Sequence, residues 1–226
     1  MHMLDNDCRE PSAVRIAIAR GTLLPALIAV LKAIGCALLP EPDRNGFLGR
    51  GFAGNWTNVS FFVRDRRMIP CLVAYGRFSA GITGRDIVFN SGLPLKYLST
   101  LASPESYWAL ASVEGWMPQP GSEVGCELEE YFAPLVLKRA EDLPPCKIVH
   151  IEGHEECAIE DGLCQAILVA TRTGDSIRKK GLVIRPGCEK LFTSSPMLVS
   201  RNQRSVCEGE ALSVLVEALR RAGCGD

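Results

Sequence analysis

The stretch Ala166–Leu182, AILVATRTGDSIRKKGL, constrains the fold more than any other. Ala166–Ala170 reads as an apolar strand and Thr171–Asp175 as a tight turn. The remainder reads as a short helix closed by Gly181. The handover is also open to chemistry. The first N–H groups of a helix lack intrahelical partners and attract anions, and Gly174 lets the backbone approach a phosphate closely. A Thr-Gly turn before a helix is equally an ordinary capping turn. Taken alone, the stretch leaves both readings open.

Similar units recur along the chain. Val14–Ala19 is a predicted strand, followed by Arg20-Gly21-Thr22 and an apolar helical run over Leu23–Ile34, with Gly35 as its C-terminal cap. Pro40–Asn58 reads as a loop or ragged hairpin carrying Arg44 and Arg50. Further strands are predicted at Val59–Val63, Ser79–Thr83, Trp108–Val113, Cys146–Ile151, Leu182–Arg185 and Met197–Ser200. Helices are predicted at Met68–Tyr75, with Pro70 in its first turn, from Gly84-Arg85-Asp86 onward, and within Gly153–Asp161. Glu127–Lys138 has helical spacing interrupted by Pro134, and Leu93–Ser103 reads as a crossover. Glu208–Ala222 is amphipathic, with Leu212, Leu215 and Leu219 on one face. Alternating short strands and helices place the chain in the α/β class with mixed sheets.

Composition narrows the function. A chain of 226 residues, 47% hydrophobic, buries a sizeable core as one large domain or two lobes. A net charge of −1 argues against a nucleic-acid surface. The apolar run Gly21–Pro40 contains Pro25, Lys32 and Gly35, so a buried helix is expected there and not a membrane span. Residues 1–13 read as a loose polar leader without the apolar core of a secretion signal. Ten scattered cysteines without a CxxC pair fit a reducing cytoplasm. The sequons at Asn55 and Asn58 have no meaning in that compartment.

His150-Ile-Glu-Gly-His154-Glu155-Glu156-Cys157 is dense in metal-binding side chains. His150 falls in a predicted strand and His154 in the following turn, so helical i, i+4 metal geometry does not apply and no protein-held metal is expected. No nucleophile elbow or ordered triad is present. Three turns with anion-binding character do follow strands: Arg20-Gly21-Thr22, Gly81-Ile-Thr83-Gly84-Arg85 and Thr173-Gly174-Asp175-Ser176. Together they favour a site for a phosphorylated ligand.

The order and spacing of these turns resemble the ATP phosphoribosyltransferase family, in its short form. RIAIARGTL (15–23) resembles the family's first strand and Lys-Gly-Arg-Leu turn. IPCLVAYGRFSAGITGRDIVF (69–89) resembles its Ile-Pro, Gly-Ala-Ala-Asp and Gly-Ile-x-Gly-x-Asp segment. IEGHEECAIEDGL (151–163) resembles its Gly-Ser-x-Glu segment, and Ala166–Leu182 its phosphoribosyl-pyrophosphate loop. The resemblance implies a periplasmic-binding-protein-like fold of two α/β lobes around a cleft. Lobe I would be 14–92 plus 184–226, and lobe II 93–183. It implies Thr173, Gly174, Asp175 and Ser176 around the phosphoribosyl phosphate, with Gly21, Gly81, Thr83, Gly84 and Asp86 near the nucleotide. Arg20, Glu156 and Arg50 (or Arg44) would serve the chemistry.

The implied reaction joins adenine N1 of ATP to C1 of phosphoribosyl pyrophosphate, with magnesium carried on the pyrophosphate. A homodimer, a separate regulatory subunit and a place in histidine biosynthesis are implied with it. Relatives in nucleoside-antibiotic pathways of the pentostatin and coformycin type give a second setting. The chain departs from the family pattern at several points. Thr22 replaces an arginine, Ser79 an aspartate, His154 a serine, and Val169 the acidic residue before the loop. Asp175 places a negative charge in the cradle, which requires Arg172, Arg178 or Lys179 to offset it. These departures imply either a divergent enzyme or a non-catalytic nucleotide-binding paralogue.

Overall fold

The computed structural model describes residues 14–21, 24–50, 59–101, 105–153 and 155–222. The expected leader, Thr22, the sequon asparagines and His154 lie outside the described residues. The chain forms two compact units. The first holds residues up to Gly84, Leu93–Ser103 and residues from Pro196 onward; the second holds Arg85–Gly92 and Pro104–Ser195.

The first unit is built on a seven-stranded mixed sheet. Its strands are β1 (Val14–Ala19), β2 (Ala37–Leu38), β3 (Phe47–Arg50), β4 (Val59–Arg64), β5 (Ala80–Gly84), β6 (Leu95–Thr100) and β13 (Pro196–Arg201), in the order β2-β3-β4-β1-β5-β13-β6. β1 runs parallel to β4 and β5. Side-chain alternation sends Ile16, Ile18 and Phe61 to one face. There they pack with Leu27 and Leu31 of α1 (Leu24–Ala33) and with Leu212, Leu215 and Leu219 of α7 (Val206–Arg221). Ala17 and Ala19 face the other way, toward Ile69 and Val73 of α2 (Ile69–Ala74). The predicted leucine face of the last helix is therefore the buried one. That helix begins at a capping box in which Ser205 Oγ accepts from Glu208 N and the Glu208 carboxylate accepts from Ser205 N.

The second unit carries a six-stranded sheet. Its strands are β7 (Ser106–Ser112), β8 (Glu123–Cys126), β9 (Lys147–His150), β10 (Ala166–Thr171), β11 (Val183–Ile184) and β12 (Phe192–Ser194). β10 is central, antiparallel to β7 and parallel to β8. α4 (Phe132–Leu137) covers one face with Phe132 and Val136 against Trp108, Leu110 and Leu168. α5 (Glu155–Ala158) and α6 (Asp175–Lys179) cover the other, where Ala158 and Ile177 meet Ile167 and Val169. α3 (Arg85–Asn90) also belongs to this unit.

Several expectations shift. Leu93–Ser103 contains a strand, β6, and it pairs with β13 in the first unit. β11 and β12 pair with β7 in the second. The units divide at 84/85, 92/93, 103/104 and 195/196. Pro134 does not interrupt a helix: α4 starts at Phe132, which puts Pro134 in the first turn, where no N–H is needed. That turn is capped from another element, since Asn90 Oδ1 accepts from Tyr131 N and Phe132 N, each at 3.2 Å. Among the described residues no helix is long and apolar enough to cross a membrane, and the run after Gly21 forms the ten-residue α1. Cys36, Cys71, Cys126, Cys146, Cys157, Cys164 and Cys188 are free thiols. Burial pushes the Cys36 thiol up to about 12, as expected of a small core hydrophobe.

Candidate active site

In the second unit, the opening stretch forms the predicted strand, turn and helix. Gly174 caps α6 in the left-handed conformation, with φ +73°, a region that favours glycine. The turn closes through Thr171, whose Oγ1 accepts from Gly174 N at 2.8 Å in a buried bond. Thr173 Oγ1 donates to Asp175 Oδ2 at 2.7 Å, and Arg178 Nη2 donates to Thr173 O at 2.8 Å and to Asp175 Oδ1 at 2.5 Å. The Thr173 hydroxyl and the Arg178 guanidinium thus hold the Asp175 carboxyl below its usual range. Arg178 offsets the Asp175 charge, with Lys179 adding to the effect. At the far end of α6, Gly181 N and Leu182 N return to Arg178 O and Ile177 O, the glycine-closed helix end the sequence predicts.

Glu156 sits half-buried on α5, which packs on the same sheet face as α6. Cys157 hydrogen-bonds to Lys180, just beyond α6, and this bond raises the Lys180 ammonium pKa, with Glu160 and Glu156 adding to the effect. Glu156 is therefore near the C-terminal end of α6. Val169 is 5% exposed and packs against the apolar cluster that holds Ala158, Ile167 and Ile177. The position where the family carries an acid is part of the core here. His150 Nδ1, at the end of β9, pairs with Glu129 in the turn after β8, and among the described residues no group of three metal-binding side chains converges.

Asp86 is also in the second unit, and its carboxylate is committed to structure. Oδ2 accepts from Trp108 Nε1 at 3.0 Å, and Oδ1 accepts from Ser194 Oγ at 2.8 Å and Ile87 N at 3.0 Å. These bonds pin α3 to β7 and β12 and give Asp86 an anchoring role.

In the first unit, Arg20 and Gly21 follow the C-terminal end of β1. Arg20 N donates to Arg64 O, and Gly21 adopts φ +107° as its carbonyl accepts from Leu24 N. The parallel register Ile18↔Ile82 brings Thr83 and Gly84 to this same end. Thr83 is buried and its hydroxyl donates to Arg66 O. Gly81 has a packing role: a Cβ there would lie 2.3 Å from Ile69 Cγ2. Strand ends of this kind, at the carboxyl side of parallel strands, are where α/β sheets present ligand-binding loops.

The register separates Arg50 from this group. Arg50 pairs with Ser60, near the N-terminal end of β4, whereas Arg64 ends β4 beside Arg20. Four residues of strand, about 13 Å, lie between those rungs. The turn that carries Arg44 sits at the other end: Gly46 O accepts from Val63 N, and Asn45 O from Arg64 Nη1 at 2.9 Å. Between the two candidates, Arg44 is the one at the Arg20 end.

Sequence reasoning missed Arg15 and Arg64. Their guanidiniums lie over the rings of Phe62 and Phe78, with Arg15 at 4.8 and 4.9 Å and Arg64 at 5.3 Å from both. Burial, then the like charges of Arg15 and Arg20, lower the Arg64 pKa, against the opposing pull of Asp43. The only sequence signal was an arginine breaking the apolar alternation of two strands.

The sequence profile of the ATP phosphoribosyltransferase family matches residues 66–221. An ATP phosphoribosyltransferase of Prochlorococcus marinus (strain MIT 9313) is 25% identical over 212 residues, spanning 92% of this chain and 95% of that protein. The ATP phosphoribosyl transferase (HisG:HisZ) complex from Thermotoga maritima contains a chain that superposes with TM-score 0.73 at 19% identity, over 92% of this chain and 97% of that one. The alkanesulfonate-binding protein SsuA from Xanthomonas axonopodis pv. citri superposes with TM-score 0.61 at 13% identity, over 94% of this chain and 73% of its own. The fold is thus the expected α/β fold of the periplasmic-binding-protein type.

Proposed function

Because the chain belongs to the ATP phosphoribosyltransferase family, we propose that it joins ATP to phosphoribosyl pyrophosphate as the opening reaction of histidine biosynthesis. The observation that carries this reading is the family match over residues 66–221, which includes the Thr173–Ser176 loop. Adenine N1 supplies the electron pair for the new bond to C1 of the ribose, and the C1–O bond to pyrophosphate breaks. Pyrophosphate departs with that electron pair and with the magnesium it carries. The transition state is oxocarbenium-like, so positioning and charge do most of the work and no covalent nucleophile is required.

In this scheme the Gly174 turn and the hydroxyls of Thr173 and Ser176 receive the ribose 5-phosphate. Arg178 neutralises Asp175 beneath it. Arg20 and Arg44 are the cations for the leaving pyrophosphate, Thr83, Gly84 and Gly21 border the nucleotide, and Glu156 is carried on α5 as the counterpart of the family's glutamate. Magnesium enters as part of the substrate. By the family reading, the protein works in the cytoplasm as a homodimer. The Thermotoga complex makes a HisZ-like regulatory subunit the partner to test.

A second reading is favoured by Val169: with an apolar core residue in place of the acid, the chain would bind the nucleotides without turnover. The discriminating experiment mixes the full chain with ATP, phosphoribosyl pyrophosphate and magnesium, alone and with a HisZ-type subunit. Pyrophosphate release above background supports the transferase. Binding without release in both mixtures supports the non-catalytic reading. Complementation of a histidine auxotroph lacking this step then separates histidine biosynthesis from a nucleoside-antibiotic setting.

A further inference from the structure

At the opposite end of the first sheet from Arg20, a depression of about 650 Å³ opens where α2 ends, β6 begins and β13 runs out. Its walls include Tyr75, Gly76, Pro94, Arg201, Asn202 and Arg204, and among the described residues that line it none is acidic. Arg201 is held in place. Its Nη2 donates to both Glu208 oxygens, at 3.1 and 2.8 Å, and Glu208 is in turn held by Ser205 N. The guanidinium lies against Gly76 (φ +70°), where a Cβ would meet Nη1 at 2.4 Å. Glu208 engages one nitrogen of the fork, and Nε has no hydrogen-bond partner. Arg204 has no ion-pair partner among the described residues. Asn202 is oriented by its own bond to Pro94 O at 3.1 Å, and Tyr75 is 76% exposed at the rim.

We propose that this depression is a second anion site, one that takes a small phosphate-bearing molecule. The charge count favours an anion: Arg201 and Arg204 bring two positive charges and Glu208 removes one. A guanidinium fixed by its neighbours, as that of Arg201 is, suits phosphate, whose several oxygens accept from more than one donor. The capping box already occupies the start of α7, so the attraction comes from the arginines and not from the helix end. The site stands apart from the strand ends that carry Arg20, Thr83 and Gly84, and it does not depend on the transferase reading.

The test is a titration of the isotopically labelled full chain with inorganic phosphate at constant ionic strength, followed by amide NMR. Saturable shifts at Tyr75, Gly76 and Asn202–Arg204 are expected. Arg204→Gln should weaken that binding about tenfold or more, the loss of a charge-assisted bond, while any shifts at Thr173–Ser176 stay as in the parent. The same spectra report whether the variant is folded. The proposal is overturned by shifts confined to Thr173–Ser176, by unchanged affinity in Arg204→Gln, by shifts that never saturate, or by acetate binding as tightly as phosphate.

Discussion

The indole N–H of Trp108 donates to the Asp86 carboxylate at 3.0 Å, inside the core of the second unit. Trp108 is 1% exposed and Asp86 8%. The aspartate of the Gly-Ile-x-Gly-x-Asp segment thus ties the first turn of α3 to the strand beneath it, with Ser194 completing the grip at 2.8 Å.

Asp86→Ala is accordingly expected to act on stability. It leaves the Trp108 N–H and the Ser194 hydroxyl buried without their acceptor, a loss of about 3 kcal/mol for bonds to a charged group. Urea unfolding should report that loss. Calorimetry on the folded variant should find ATP affinity within about twofold of the parent. A large loss of ATP affinity with unchanged stability would instead assign Asp86 to the nucleotide site.

Arg44 and Arg50 separate by position. Arg44→Ala should lower kcat/KM for phosphoribosyl pyrophosphate by about tenfold or more, the range for losing one charge-assisted contact. Arg50→Ala, at the Ser60 end of the sheet, should change it by less than about twofold. Steady-state kinetics of the two variants decide the matter, and the reverse ranking would contradict the assignment made from strand register.

These two cases show what was legible in the sequence. Apolar period and glycine punctuation located β1, α1, β10, α6 and the leucine face of α7, because local patterning sets them. Pairing was not legible. The sequence of β3 carries no mark of its register on β4, so it could not place Arg50 at one end of the sheet. Nor could it show that Asp86 faces Trp108, 22 residues away. Glycine serves both turns and close packing, and the sequence does not show the 2.3 Å approach of Ile69 to a would-be Cβ at Gly81.

Glu208 gives the chain an acid-sensitive contact. Burial alone would raise its carboxyl, but bonds from Ser79, Ser205 and Arg201 outweigh that and hold it down at about 2, against 4.5 for a free glutamate. A folded pKa below the unfolded one contributes stability above about pH 4.5, and this is lost as pH falls toward 2. Glu208→Gln should therefore melt below the parent at pH 7, with the gap closing between pH 4.5 and pH 2. Thermal melts of both proteins across that range test it; a gap that stays constant would assign the effect to packing.

Gly174→Asp tests the loop directly. It forces a side chain into a φ of +73°, at a cost of about 1 kcal/mol. It also adds a second carboxylate beside Asp175, where Arg178 already bridges to the first. Phosphoribosyl pyrophosphate binding should be abolished by calorimetry. Unchanged affinity would remove Thr173–Ser176 from the substrate site.

Thr171 is the loop residue that the sequence did not single out, and it makes the finer test. Its hydroxyl accepts from the Gly174 amide in a buried bond of 2.8 Å. Thr171→Val keeps the shape and leaves that amide unpaired, at a cost of about 1–3 kcal/mol. Because the amide belongs to the turn that would face the 5-phosphate, the loss should fall on the loop's preorganised form. The expected result is a rise of about tenfold or more in KM for phosphoribosyl pyrophosphate, with KM for ATP unchanged. A variant that loses stability but keeps both KM values would mean that Thr171 supports the strand end alone, and that the turn needs no fixing to receive its ligand.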